Sequence, residues 1–269
     1  MRTMFGILTL GVVLMTACAG CQYMGSASHK GSATAAIAHV AGTTLDIETE
    51  NGSVEVRHGG SDVSVAASMR ATTAERLKLM SVSVERSESG TVMVRPIWPQ
   101  GGRVGNEGCS VVVTLPDVGD IAVSTGNGSI LIAGGAGDCD LETSNGAIQV
   151  DGPAGAMRVK TSNGRVTLTG VQSAIVDTSN GSVSVVLAED ATGPVAVDTS
   201  NGSISLAVGG TMVGTLTAST SNGGVSESSG RATRSVQSGK TRGVFELGGI
   251  STPASSLDTS NGSITITRR

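Results

Sequence analysis

The chain has 269 residues with 18 Lys and Arg against 22 Asp and Glu, a formal net charge of −4 at pH 7. That sign excludes the usual nucleic-acid binder, which needs a basic face. Aromatic residues make up only 1% of the chain, so the core must be built from Val, Ile, Leu, Ala, Thr and Gly, as suits a thin core repeated many times rather than one centred on large rings.

The first element is a leader. A short basic start precedes the apolar run "MFGILTLGVVLM", which has the length of a signal-peptide core and is too short for a membrane-spanning helix. It ends in "LMTACAGCQ", which resembles a bacterial lipobox, where cleavage precedes a cysteine that then carries lipid. Cys18 is the favoured lipidation site because Met15 stands three positions before it, with Cys21 the alternative. The expected product is exported and held at a membrane by acyl chains. Neither Ala19 nor Gln22 is the aspartate that retains enteric-type lipoproteins at the inner membrane, so the outer membrane is preferred. The expected division is a signal peptide over 1–17, lipidated cysteine and flexible tether over 18–41, an N-terminal β cap or subdomain over 42–116, and a repeat domain over 117–269.

The cap region holds one helix candidate, "ATTAERLKLM" at 71–80, and one early copy of the repeat, "TENGSVEV" at 49–56. The repeat proper follows. Its asparagines are Asn127, Asn145, Asn163, Asn180, Asn201, Asn222 and Asn261, with Asn51 the early copy, and most steps are 17 to 21 residues. The last step is about twice as long, and "KTRGVFEL" at 240–247 sits midway as a degenerate copy with Arg242-Gly243 in place of Asn-Gly. Three copies read "DTSNGS", at 177–182, 198–203 and 258–263. A fixed period of this size marks a repeat architecture.

Within a unit such as "DLETSNGAIQV", apolar and polar residues alternate on both sides of Asn-Gly, the pattern of two half-buried strands. Asn-Gly also suits a hairpin, which would pair Thr143 with Ile148 and Leu141 with Val150. The recurrent Thr and Ser before it favour a parallel β-solenoid, because stacked coils reward identical residues and let Asn and Thr form ladders. The fold expected is therefore all-β: a parallel β-solenoid of about eight coils with Asn-Gly corners behind an irregular N-terminal cap. An antiparallel meander or sandwich is the alternative. Corner glycines are expected to supply a positive φ, and Arg268 and Arg269 to charge the final strand edge.

The run "VVVTLPDVGDIAVSTGNGSILI", followed by serial "TSNG" units, resembles the bacterial β-strand-repeat families that carry an adhesin label. These are domains of unknown function related to the head of auto-transporter-like adhesins. The resemblance covers about 42–269. It implies an exported or membrane-anchored β-helix-like domain with an interacting surface, and it brings no catalytic residues.

Chemistry is sparse in the sequence. His29, His39 and His58 have no metal-ligand spacing. "SGKTRG" lacks the upstream glycine of a phosphate loop, since Arg234 stands there. "GGAGDCDLE" carries Cys139 where a calcium β-roll wants aspartate. No cofactor and no metal are expected. Cys109 and Cys139 fall on inward strand positions, where a disulfide and two buried thiols are both open. The longer connections, 187–195 and 226–241, are where a partner site belongs in a repeat protein; the second carries Arg231, Arg234 and Lys240. The expected function is a non-enzymatic envelope lipoprotein, adhesin or scaffold, whose partners are the membrane through its lipid and a protein or glycan. The alternatives are a β-helix enzyme on an envelope or extracellular glycan, and an envelope-sensing module.

Overall fold

The structure is a computed structural model that describes residues 29–210, 212–228, 232–237, 240–247 and 254–269. Cys18, Cys21 and Arg231 lie outside the described residues. The molecule is all-β, and its strands join in one continuous hydrogen-bonded sheet.

The chain opens with β1 (His29–Ile37), β2 (Leu45–Thr49), β3 (Val54–His58) and β4 (Val63–Ala71). Helix α1 (Ala74–Leu79) follows, within the segment the sequence marks for it. Thr73 is its N-cap, its hydroxyl accepting from the Arg76 N–H. Next come β5 (Ser81–Arg86), β6 (Val92–Ile97), β7 (Gly108–Leu115), β8 (Ile121–Thr125), β9 (Ile130–Ala133) and β10 (Cys139–Thr143). Two long strands, β11 (Ile148–Thr161) and β12 (Val166–Thr178), lead to β13 (Val183–Leu187), β14 (Val195–Thr199) and β15 (Ile204–Val208). The chain closes with β16 (Thr215–Asn222), β17 (Val225–Glu227), β18 (Ala232–Gln237), β19 (Lys240–Glu246), β20 (Ser255–Asn261) and β21 (Ile264–Arg268).

Strands before an Asn-Gly corner, with β6 added at one end, form one parallel ladder, in the order β6, β2, β8, β10, β11, β12, β14, β20, β16. Strands after a corner, with β7 added at the same end, form a second, in the order β7, β3, β9, β11, β12, β13, β15, β21, β17. Leu141 therefore pairs with Val159 and Val150 with Leu168 in the neighbouring turns, not with each other as a hairpin requires. The antiparallel meander is overturned across the repeat. Side chains alternate along each strand, and the inward Val, Ile and Leu of both ladders merge into one buried cluster, each contributing roughly 1.5–3 kcal/mol. Phe245 joins it and Trp98 packs on its margin.

The order along the stack is not the order along the chain. The unit 45–58 is inserted between the strands β6 and β7 on one side and β8 and β9 on the other. The unit 255–268 is inserted between β14–β15 and β16–β17. Its "DTSNGS" thus lies beside that of 198–203, and Asp177, Asp198 and Asp258 fall in register on adjacent strands. Arg268 and Arg269 consequently do not guard an outer edge, because β21 is sandwiched between β15 and β17. Arg269 instead reaches back to the Leu187 carbonyl at 2.5 Å.

Four further expectations change. Residues 29–37, assigned to a tether, form β1, paired antiparallel with β4 along its length; alternation buries Ala33 and Ala35 while polar neighbours stay out. Arg242-Gly243 is no corner, because β19 runs straight through it and pairs antiparallel with β16 and β18. The expected connection 226–241 is accordingly β17 and a β18–β19 hairpin rather than a loop. Corner glycines do not have positive φ; that conformation occurs at the opposite bends, as at Gly152 (119°) and Gly170 (79°). The corners need glycine for another reason: backbones there pack so closely that a Cβ on Gly146 would overlap the Gly128 carbonyl, and one on Gly164 the Gly146 carbonyl.

The N-terminal end of the stack is closed by antiparallel additions, β1–β4–β7 on one ladder and β5–β6 on the other. Beneath them Glu107 is fully buried. Its carboxylate accepts from Arg76 Nε at 2.6 Å and Nη2 at 2.9 Å, from Thr72 Oγ1 at 2.9 Å and from the Val104 N–H at 3.0 Å. The Arg76 hydrogen bonds, above all, hold its pKa down at about 2 against the opposing effect of burial.

Candidate functional site

The corner asparagines form a single chain of amide hydrogen bonds on the exposed face. Asn145 Nδ2 donates to Asn127 Oδ1 at 2.8 Å, Asn163 to Asn145 at 2.9 Å, Asn180 to Asn163 at 3.0 Å and Asn201 to Asn180 at 2.9 Å. The inserted unit continues it, Asn261 donating to Asn201 and Asn222 to Asn261, each at 2.8 Å. Every amide points the same way. Asn51 stands apart, its Nδ2 donating to the Glu107 carbonyl at 2.8 Å.

Inside the corner, the threonine of each "TSNG" is buried, and most donate to the corner glycine carbonyl of the adjacent turn. Thr143 reaches Gly128 at 3.0 Å, Thr199 reaches Gly181 at 3.1 Å and Thr220 reaches Gly262 at 2.9 Å. Thr161 and Thr178 hydroxyls are buried with no hydrogen-bond partner among the described residues. So the Asn ladder is amide to amide, whereas the Thr row is a set of hydroxyl braces.

At the Asn127 end, where the corner face meets the antiparallel cap, an open groove of about 690 Å³ runs between β1, β4 and β7 and the corners of Asn51 and Asn127. Lys30 and Arg70 rise from one wall; they are direct cross-strand partners on β1 and β4. Ser32 and Ser68, also partners, continue toward Ser110 and Ser53 as a row of hydroxyls. Sequence reasoning missed this groove because its wall belongs to a stretch assigned to the tether and to antiparallel pairings between segments far apart in the chain.

The remaining sequence candidates are dispersed. Arg234 falls in β18 and Lys240 opens β19, on opposite strands of a hairpin. His39 Nε2 lies 2.9 Å from Asp117 Oδ2, and the Gly42 N–H and then His39 lower the pKa of Asp117. Cys109 and Cys139 are both free and buried, and burial pushes their thiols up to about 11 and about 12, which makes them poor nucleophiles at neutral pH. Among the described residues no group of three His, Cys, Asp or Glu side chains could hold a metal. No described helix is long and apolar enough to cross a membrane.

These features define a β-repeat protein whose distinctive surface is a hydrogen-bonded corner face. The chain belongs to the Toastrack DUF4097 family, whose model matches residues 49–267. No curated protein matches it. Among solved structures it is similar to a provisionally named adhesin from Bacteroides fragilis, at 13% identity and a TM-score of 0.46, covering 88% of this chain and 97% of that one. It is also similar to a provisionally named cell adhesion protein from Clostridium sporogenes, at 12% identity and a TM-score of 0.38, covering 89% of this chain and 100% of that one. A provisionally named adhesin from Parabacteroides merdae gives 11% identity and a TM-score of 0.42, covering 88% of this chain and 96% of that one.

Proposed function

We propose that this chain is a non-catalytic exported lipoprotein that holds out an interaction surface in the cell envelope, as an adhesin or scaffold. In this reading a lipid on Cys18, or on Cys21, anchors it to the outer membrane. A parallel solenoid of about eight coils, one from 45–58 and the rest from 121–268, then presents the surface to a protein or glycan. The observation that carries the reading is the corner face. Its aligned asparagine ladder from Asn127 to Asn222 is a rigid, exposed polar strip, and a rigid strip can bind without paying to order loops. The apolar leader and the small residues before Cys18 support the anchor.

Protease shaving of intact cells, comparing wild type with Cys18→Ser and Cys21→Ser, tests it. Cleavage from outside, with one cysteine variant shed, is the expected result. A domain protected until the envelope is breached, and indifferent to both substitutions, would overturn the surface-displayed lipoprotein.

A further inference from the structure

We propose that the groove beside Asn127 binds an acidic polysaccharide, holding its carboxylate or sulfate groups between Lys30, Arg70 and the Asn127 amide. The proposal rests on the surface-binding reading above and names the ligand class of that surface.

Three observations converge on an anion. First, Lys30 and Arg70 are opposed cross-strand partners, an arrangement of like charges that costs stability, on a chain whose net charge is −4. Among the described residues no carboxylate pairs with either. Arg70 Nε spends one N–H on the neutral Asn106 carbonyl at 3.1 Å. The two carboxylates on the adjoining segments are taken, Glu50 by Arg103 at 2.9 Å and Glu107 by Arg76 at 2.6 Å. An anion between the two cations relieves their repulsion.

Second, the groove lies at the donor end of the amide ladder. Each asparagine gives its Nδ2 to the next, so the run ends on Asn127, whose Oδ1 is used by Asn145 and whose Nδ2 has no partner among the described residues. Aligned hydrogen bonds polarise one another, so this terminal N–H₂ is the positive pole of the strip, and Asn127 lines the same groove as the two cations.

Third, the floor suits a sugar polymer. Ser32, Ser68 and Ser110 bring hydroxyls from the adjacent strands β1, β4 and β7, spaced by about 4.8 Å. Ser53 adds one from the Asn51 corner, and a hydroxyl can both donate and accept toward ring hydroxyls. The volume of about 690 Å³ lies within the roughly 300–1,000 Å³ of ligand sites, and the groove is open, so it admits a chain.

The test uses the full-length protein immobilised against soluble heparin (sulfate), polygalacturonate (carboxylate) and neutral dextran, at low and high ionic strength. Binding of at least one acidic polymer and not of dextran is expected. Joint Lys30→Ser and Arg70→Ser substitution should weaken it roughly tenfold or more and flatten its salt dependence, and Asn127→Asp, which places an anion in the groove, should weaken it comparably. The double variant should melt no lower than wild type, since a repulsive pair has gone, which separates lost binding from lost folding. Joint Arg158→Ser and Lys160→Ser substitution, on the outward face of β11, should leave binding intact. The proposal is overturned if neither acidic polymer binds, if the groove variants bind as wild type, or if the β11 variant loses as much. Binding confined to phosphatidylglycerol vesicles would overturn it in favour of a lipid surface. Shaving results stay informative in each case, because display at the surface does not depend on this ligand.

Discussion

Asn261 donates its side-chain amide to Asn201, sixty residues earlier, and accepts from Asn222, thirty-nine residues earlier. A residue close to the C-terminus therefore links two older parts of the corner face. Replacing it with Ala removes both bonds in mid-ladder, and a loss of about 1 kcal/mol is expected. Denaturant unfolding of Asn261→Ala against Asn222→Ala checks this: the terminal rung, which makes one amide bond, should lose less.

The corner glycines separate two explanations that the sequence merges. Gly146 is not in the positive-φ set, so Ala there should be tolerated if backbone conformation were the issue. The Cβ would instead overlap the Gly128 carbonyl, and Gly146→Ala should cost about 3 kcal/mol. At Gly90, where φ is 90° and a Cβ meets open space, Ala should cost about 1 kcal/mol. Thermal unfolding of the two variants reads out the difference.

Buried threonines offer an isosteric test. Thr178→Val removes a buried hydroxyl that has no partner among the described residues and should stabilise by about 1 kcal/mol. Thr143→Val removes the 3.0 Å brace to the Gly128 carbonyl and should destabilise by about 1 kcal/mol. Equal effects in denaturant unfolding would contradict the assignment of the two hydroxyls.

Glu107 predicts an acid limb. Its carboxylate titrates near 2 in the folded chain against a usual 4.5, so between those values the unfolded chain binds the extra proton. The contribution is fully present above about pH 4.5 and is lost as pH falls toward 2. Glu107→Gln should flatten that part of the stability–pH curve and lower the melting temperature by several degrees at neutral pH, since Arg76 loses its partner. Melting curves across that range measure both.

The insertion of 255–268 predicts an inverted pattern of protection. Chain ends normally fray, yet β20 and β21 each have a strand on both sides. Amide exchange there should be as slow as in β14 and β15, and slower than in β17, which among the described residues pairs with β21 alone.

Much of this was written locally. Alternation on either side of Asn-Gly fixes which residues face in, and the repeated "TSNG" fixes where the corners fall, because strand period and corner chemistry act within a few residues. The aromatic-poor composition forecast a thin aliphatic core, and "ATTAERLKLM" gave the one described helix. The candidate groove was not legible, since Lys30 and Arg70 meet only through the β1–β4 pairing.

By itself the sequence determined the unit: its strands, its corner and the amide it contributes to a ladder. Tertiary structure alone decided the order of the units. Every unit offers nearly the same edge to its neighbours, so local pairing energy scarcely distinguishes one stacking order from another. The choice falls to long-range constraints, the antiparallel cap at one end and the β18–β19 hairpin against β16 at the other, which leave 45–58 and 255–268 to fill the places inside them.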